Sequence, residues 1–471
     1  MTKEVKNPEL ESYLISLLGE QYTAFISAPP EPTAIRTNTL KTSTQHIHDL
    51  LKKHDYDYDP ITFNPDGVKL ASDPLPLSHS LAFFEGLFQY QGVSSQLPAL
   101  ILDVQPGERV LDMTAAPGSK SGQLAALLKQ KGELVLNDSS YQRLQALQAN
   151  MQRSGAVNHY VLKQRAENLS RLFPEYFDKI LLDAPCTAIG TFFSNSEKYS
   201  WWSSKKLDKL SKLQYQLMVS AIKCLRIGGE MVYSTCSVAP EENELLIKKI
   251  VNKYPVTVEQ LPEDFMSRFE SGWTSYNNFE ISEEMKKSLR IWPHVHSIEG
   301  FFVVKLKKTA RVYLEREPKP VEFKITHSSD HPQINMVLKH ISDSWGIDPD
   351  IWRENRFILT KTRLWMMAPE IEQIPTENFV SAGLLIGEER LNGWKLVNGS
   401  AQYLGDHIKN RRIVLSDREI KILFRDGKVN YKNMPHDYYV LEYGDRIIGS
   451  IYHEKGMLRI RLPHMFTRFK I

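Results

Sequence analysis

The stretch Val110-Leu111-Asp112-Met113-Thr114-Ala115-Ala116-Pro117-Gly118-Ser119-Lys120, running on into Ser121-Gly122-Gln123-Leu124-Ala125-Ala126-Leu127-Leu128, decides how this chain is read. A short apolar run ends in an acid. A loop of small residues with Pro and Gly follows, and an amphipathic segment begins. That order predicts a buried strand, a tight turn and a helix N-terminus, the opening of a nucleotide-type site in an α/β sheet. Small residues let the backbone approach a ligand closely, and a helix start offers unpaired N–H groups.

Downstream, strands and helices alternate, which predicts a mostly parallel sheet. Strands are expected at 133–138, near 160–162, at 180–183 and at 231–234, with Gly228-Gly229 marking the turn into the last of these. A final apolar run covers 301–304. Ligands of open α/β sheets sit beyond the carboxyl ends of the strands. Asp112, Asp138, Asp183 and Cys236 all fall there, so four segments are expected to converge on one crevice.

Two familiar loops are excluded. A P-loop needs Gly-Lys-Ser/Thr in succession, and Ser119 separates Gly118 from Lys120. A dinucleotide fingerprint needs three glycines, and this loop has only Gly118 and Gly122. An acid-ended strand with an Ala-Ala-Pro-Gly turn suits a ligand with little or no phosphate, such as S-adenosylmethionine.

The 471 residues are 42% hydrophobic and 24% charged, enough for several domains with a large core. No apolar run is long enough to span a bilayer, and Met1-Thr2-Lys3-Glu4 opens no signal-peptide pattern, so a cytoplasmic protein is expected. Three cysteines are too few for a disulfide framework, and no Cys/His grouping has zinc spacing, so no metal is expected. Net charge is only +3, but residues 401–471 hold 14 Lys/Arg against 8 Asp/Glu. That basic end reads equally as a phosphate-backbone footprint or as a solvated surface.

Upstream of the central stretch, residues 1–84 read as a small α/β module, with helical periodicity over 10–18, a basic strand over 34–41 and a helix over 44–53. Residues 85–308 form the central domain. The stretch 305–320, with Lys305, Lys307, Lys308 and Pro318-Lys319-Pro320, reads as a linker. A mixed module follows at 315–382 and a β-rich one at 383–471.

Three groups carry candidate chemistry. Asp138 can accept hydrogen bonds from both hydroxyls of a ribose, or can cap the Asn137-Asp138-Ser139-Ser140 turn. Asp183-Ala184-Pro185-Cys186 and Ser234-Thr235-Cys236-Ser237 each follow a strand and bring a thiol toward the crevice. A thiolate is soft and nucleophilic enough to add to carbon 6 of a pyrimidine, which makes carbon 5 nucleophilic toward a sulfonium methyl group. Free cysteines are more often small buried hydrophobes. Cys224, inside the helical run 218–225, fits that description, whereas two cysteines at neighbouring strand ends do not.

Asp183-Ala-Pro-Cys186 and Ser234-Thr-Cys236-Ser237, with Ala115-Ala-Pro-Gly-Ser-Lys120 upstream, resemble the RNA cytosine-C5 methyltransferases of the Nop/Sun family. The resemblance covers residues 91–306 and takes in Arg36-Thr-Asn38, Trp292-Pro-His294 and Gly300-Phe-Phe302. It implies an α/β, Rossmann-like S-adenosylmethionine-dependent methyltransferase core between a small N-terminal RNA-docking domain and C-terminal RNA-binding modules. Residues 383–471, ending Leu462-Pro463-His464-Met465-Phe466, resemble a PUA domain. That extension narrows the likeness to a bacterial branch that modifies small-subunit ribosomal RNA, with no membrane and no second copy implied.

Carried over by motif, Thr114, Ala115, Ala116, Pro117, Gly118, Ser119 and Lys120 would line the cofactor. Asp138 would hold its ribose, and Asp183 would lie between cofactor and base. Cys236 would attack carbon 6, and Cys186 would assist release. The sequence departs from the family at Thr114, where Cys is common, and at Thr187-Ala188, where Ser-Gly is usual. Phe192-Phe193-Ser194 lacks a basic residue. Arg165 stands where an Asp generally contacts adenine, which leaves Arg165 or its neighbour Glu167 on that side. Two other readings share the motifs: a transfer-RNA enzyme, and an RNA-binding ribosome-assembly factor that has lost catalysis.

Overall fold

The computed structural model describes residues 5–72, 76–194, 196–313, 321–391, 393–432 and 434–460. At its centre lie five parallel strands, β1 (Arg109–Asp112), β2 (Glu133–Asn137), β3 (His159–Leu162), β4 (Phe177–Asp183) and β5 (Leu225–Thr235). An antiparallel strand, β6 (Phe301–Lys308), pairs with β5. Their order across the sheet is β6-β5-β4-β1-β2-β3. Sequence order therefore reverses at β1, which places the crevice of an open α/β sheet beside its carboxyl end.

Period-two alternation explains why the strands read as continuous apolar runs. Val110, Leu134, Leu136 and Val161 face one buried layer, and Leu111, Val135, Tyr160 and Leu162 face the other. Both faces are covered, as parallel sheets require. Three helices matter for the site: α1 (Ser119–Leu127), α2 (Tyr141–Ser154) and α3 (Ser204–Cys224). Serine side chains cap two of them, Ser140 accepting from the Arg143 N–H and Ser203 from the Lys206 N–H.

Two expectations are corrected. Gly228-Gly229 is not a turn into β5 but an irregularity within it, where Phe177 opposes Leu225 and Lys179 already opposes Glu230. Gly228 supplies the φ of +81° that such a bulge needs. Lys305, Lys307 and Lys308 belong to β6 rather than to a linker. Acids neutralise two of them: Lys305 lies 2.8 Å from Glu230 and Lys308 lies 3.1 Å from Glu175. Pro318-Lys319-Pro320 and Leu462–Phe466 lie outside the described residues.

Upstream, strands Tyr58–Ile61, Asn64–Leu70, Ala34–Thr37 and Phe88–Tyr90 form one antiparallel sheet that continues past residue 84. The basic strand ends at Thr37 because Asn38 turns the chain, its amide donating to the carbonyls of Gly86 and Ser154. The helix expected over 44–53 is Thr44–Lys53. Downstream, strands Arg356–Leu359, Arg363–Met367, Leu384–Arg390 and Gly393–Leu396 form a sheet that runs across residue 383, and a five-stranded sheet follows. Among the described residues no helix is long and apolar enough to cross a membrane.

The C-terminal half is not an appendage. Strand Phe379–Ala382 pairs antiparallel with β3 and completes that edge of the central sheet. Ile358, Met367, Ile371, Ile374 and Ala382 join the same buried cluster as Tyr160, Phe173 and Phe177. A chain ended after Lys308 should expose the β3 edge and lose burial worth on the order of 5 kcal/mol. Its thermal midpoint should fall well below that of the full chain by circular dichroism. An unchanged midpoint would show that the central sheet stands alone.

Candidate active site

The first loop is held from beneath. Asp112 is buried and accepts from the Ser121 hydroxyl at 2.7 Å, and burial pushes its carboxyl up to about 7. Asn137 ties three strand ends together. Its amide donates to the carbonyls of Met113 and Gln164, both at 3.1 Å, and its oxygen accepts from the Gln164 N–H at 3.0 Å. The Ala115 N–H donates to the Asn137 carbonyl at 2.8 Å. Gly118 makes the turn into α1 with φ of +104°. The expected loop from Thr114 to Lys120 is thus an ordered wall rather than a mobile connection.

Two of its side chains cross to β4. Thr114 donates through its hydroxyl to the Asp183 carbonyl at 2.8 Å. Lys120 Nζ lies 2.8 Å from Asp183 Oδ2, donates to Ser95 Oγ at 2.7 Å and sits 5.6 Å above the Phe301 ring. The second oxygen of Asp183 accepts from Ser234 Oγ at 2.7 Å. Asp183 is therefore gripped from β1 and from β5 at once.

Beyond Asp183 and Ser234 lie the two cysteines, with their sulfurs 3.4 Å apart. Both are half-buried, whereas Cys224 is fully buried. The Cys186 thiol is held well above its ordinary range, first by its hydrogen bond to Cys236 and then by burial.

Glu242 supports both cysteine loops. Its carboxylate accepts from the Thr187 N–H at 2.9 Å, from the Thr187 hydroxyl and from the Gln214 amide at 2.9 Å. Thr187 also meets Ser237 at 3.1 Å, which links the loop of Cys186 to that of Cys236. Burial pushes the Glu242 carboxyl up against these hydrogen bonds. On the far side, Arg290 forks onto buried Glu244 at 2.5 and 2.6 Å and donates to the Val238 carbonyl at 2.9 Å. Gly190 passes so close to the Cys236 and Gly300 carbonyls that an added Cβ would lie 2.8 and 2.3 Å from them.

Asp138 closes β2 with an unequal carboxylate. Oδ1 accepts from the Ser140 N–H at 2.9 Å, the turn role. Oδ2 is buried and has no hydrogen-bond partner. Arg143 lies 3.3 Å from it, near enough for charge attraction but not aligned as a donor. A buried acceptor without a donor is costly and fits the hydroxyl of a bound ribose. This unpartnered oxygen and the loop of small residues beside it fit S-adenosylmethionine, which Asp138 and the loop of Thr114–Lys120 would hold.

Arg165 points away. Its side chain is 74% exposed and pairs with Glu167 at 2.8 Å. The side chains of Phe192-Phe193-Ser194 lie outside the described residues. Glu242, Asn137 and Ser95 are site residues that sequence reasoning missed. Glu242 sits in Pro240-Glu241-Glu242, which reads as an ordinary acidic turn.

The description "16S rRNA methyltransferase RsmB/F" fits residues 99–307 of the chain. A ribosomal RNA small subunit methyltransferase F from Shewanella oneidensis is 30% identical over 98% of each chain. The 25S rRNA (cytosine-C(5))-methyltransferase nop2 of Schizosaccharomyces pombe is 36% identical over 59% of this chain and 46% of its own length. Among solved structures, NSun6 from Pyrococcus horikoshii with SFG is 27% identical with a TM-score of 0.56, covering 64% of this chain and 98% of that one. Fold and site together define an S-adenosylmethionine-dependent RNA cytosine-C5 methyltransferase. The chain belongs to the RsmB/F family of 16S rRNA methyltransferases, on its methyltransferase F branch.

One departure from the usual motif leaves a measurable trace. Ala188 has a φ of +55°, a conformation that favours glycine. Its carbonyl is held there by the Thr191 N–H and hydroxyl, both at 2.9 Å, and by the Tyr199 hydroxyl. Ala188→Gly should relieve this strain and raise stability by up to about 1 kcal/mol, read from the urea midpoint. A fall in the midpoint would show that the Ala188 methyl group packs usefully.

Proposed function

We propose that this chain methylates carbon 5 of a cytosine in small-subunit ribosomal RNA through a covalent bond between Cys236 and the base. The observation that carries the reading is the contact of two strand-end sulfurs at 3.4 Å, beside Asp183 and opposite the loop of Thr114–Lys120. Bound S-adenosylmethionine supplies an electrophilic methyl group. The chain's own residues do the rest.

Cys236 sulfur adds to carbon 6, which turns carbon 5 into a nucleophile. Asp183 and Lys120, locked together at 2.8 Å, orient the polar edge of the ring. Once carbon 5 carries the methyl group, water takes its proton, the electrons of that C–H bond form the 5,6 double bond, and the carbon 6–sulfur bond breaks to release Cys236 as a thiolate. Cys186 assists that release. Its sulfur lies 3.4 Å from that of Cys236, within reach to donate a hydrogen bond to the departing thiolate. The basic C-terminal module and the N-terminal sheet dock the RNA, and the protein works as a cytoplasmic monomer.

Cys236→Ala should keep RNA and cofactor binding and abolish methyl transfer. Cys186→Ala should still attack and methylate but stall before release. The stalled species would be a denaturant-resistant protein–RNA adduct, seen as a slow band on a denaturing gel and absent from the double variant. An adduct in Cys236→Ala but not in Cys186→Ala would reverse the roles. Full activity in both single variants would make the cysteines packing residues.

Asp138 gives a separate handle. Asp138→Ala should weaken cofactor binding by roughly 1–3 kcal/mol, the worth of hydrogen bonds to a charged acceptor. Calorimetry reads this directly, and RNA affinity should hardly move. Equal loss of both would indicate misfolding.

A further inference from the structure

A second polar cleft lies on the other side of α1. It is a recess open to solvent, with enclosed room for about one water-sized atom such as a single phosphate oxygen, at the seam between the N-terminal sheet, α1 and the end of α2. Arg36 and Asn38 are buried on its floor, and Gln89, Asn150 and Arg153 are half-buried at its rim. Gly122 forms the α1 wall, where an added Cβ would lie 2.9 Å from Gln89 Oε1 and 3.5 Å from Arg36 Nη2.

Among the described residues no acid lines this cleft. Arg36 donates to Gln91 Oε1 at 2.8 Å and to the carbonyls of Thr37 and Ser119 at 3.2 and 3.4 Å. Arg153 donates to the Phe83 carbonyl at 3.1 Å and to Asn150 Oδ1 at 3.0 Å, and stacks 3.8 Å over the Phe83 ring. Every one of these acceptors is neutral. Burial holds both guanidinium groups down at about 10, opposed at Arg36 only by the more distant Asp66. A buried and a half-buried cation with no anion beside them among the described residues are an unbalanced arrangement, because desolvation is repaid mainly by a paired opposite charge. Guanidinium forks with spare N–H groups match the oxygens of a phosphodiester.

We infer that this cleft is a binding site for one backbone phosphate of the RNA substrate, separate from the crevice of the cysteines. The inference rests on the RNA-methylating reading above and extends it to where the strand is gripped. The site also touches the cofactor loop, since Asn150 donates to the Pro117 carbonyl at 2.8 Å and Arg36 to that of Ser119. A phosphate held there is anchored within one residue of Lys120.

The test uses the full chain with in vitro transcribed 16S rRNA and, in parallel, total RNA, reading affinity against salt rather than methyl transfer. It therefore stands or falls independently of the target assignment. Gln89→Glu places a carboxylate beside Arg36. It should raise the thermal midpoint, weaken RNA binding about tenfold and lower the slope of log K against log salt by about 0.7–0.9, one phosphate contact. Arg153→Gln should lose the same slope, and Arg153→Lys should keep it. Wild-type slopes in both Gln89→Glu and Arg153→Gln would overturn the proposal. So would stabilisation of the wild type by millimolar inorganic phosphate with those slopes unchanged, which would mark a free-anion site.

Discussion

The register between β4 and β5 is the constraint on which the site depends. Asp183 stands opposite Ser234 in a parallel pair, and the two side chains share a hydrogen bond of 2.7 Å. Cys186 and Cys236 follow three and two residues later, so their sulfurs arrive together. A slip of one residue would turn every side chain of the strand to the other face. The bulge at Gly228 lies toward the far end of β5, between the Leu225 and Glu230 pairings, so it absorbs the irregularity before the strand reaches Ser234. From that fixed pair the rest follows. Lys120 reaches Asp183 because α1 starts where β1 ends, next to β4.

Holding two loops rigid at a strand end requires buried polar groups, and these are expensive unless paired. The chain meets the cost in two ways. Glu244 and Arg290 form a complete bidentate pair that also holds the Val238 carbonyl two residues after Cys236. Among the described residues no cation pairs with Glu242; donors from Thr187 and Gln214 satisfy it instead. That choice keeps positive charge away from the sulfurs, leaving Lys120 bound to Asp183 rather than to a thiol. Thr187 does what a serine at that position would do, since its hydroxyl reaches both Glu242 and Ser237. Its neighbour Ala188 differs, because it takes a backbone conformation suited to glycine.

Much of the central fold was legible because it rests on periodicity and punctuation. Val110, Leu134 and Val161 lie in unbroken apolar runs that only a doubly covered parallel strand explains. Pro117 and Gly118 mark the loop. Asp183 ends β4, and Ser234 is the last residue but one of β5, where the apolar runs stop. What stayed hidden is long-range and polar. Nothing near Glu242 reveals that Thr187, 55 residues away, is its partner. Lys305 and Lys308 read as a charged linker because their acids, Glu230 and Glu175, come from other segments. Strand Phe379–Ala382 has only the two-residue apolar run Phe379-Val380, and the open edge of β3 pairs with it.

The seams between modules carry the same logic outward. Lys41 of the N-terminal module is half-buried, its ammonium held between the Glu85 carbonyl at 2.7 Å and Gln402 of the C-terminal part at 2.9 Å, and desolvation holds it down at about 7. Glu85, also buried, lies 3.4 Å from Arg446. Gln152 of α2 donates to the Gly383 carbonyl and accepts from the Leu385 N–H. With the bond from the Asn38 amide to the Ser154 carbonyl, these contacts tie both outer modules to α2, the helix that begins beside Asp138 and ends at the Arg36–Arg153 cleft. Displacing either outer module would therefore break hydrogen bonds to α2.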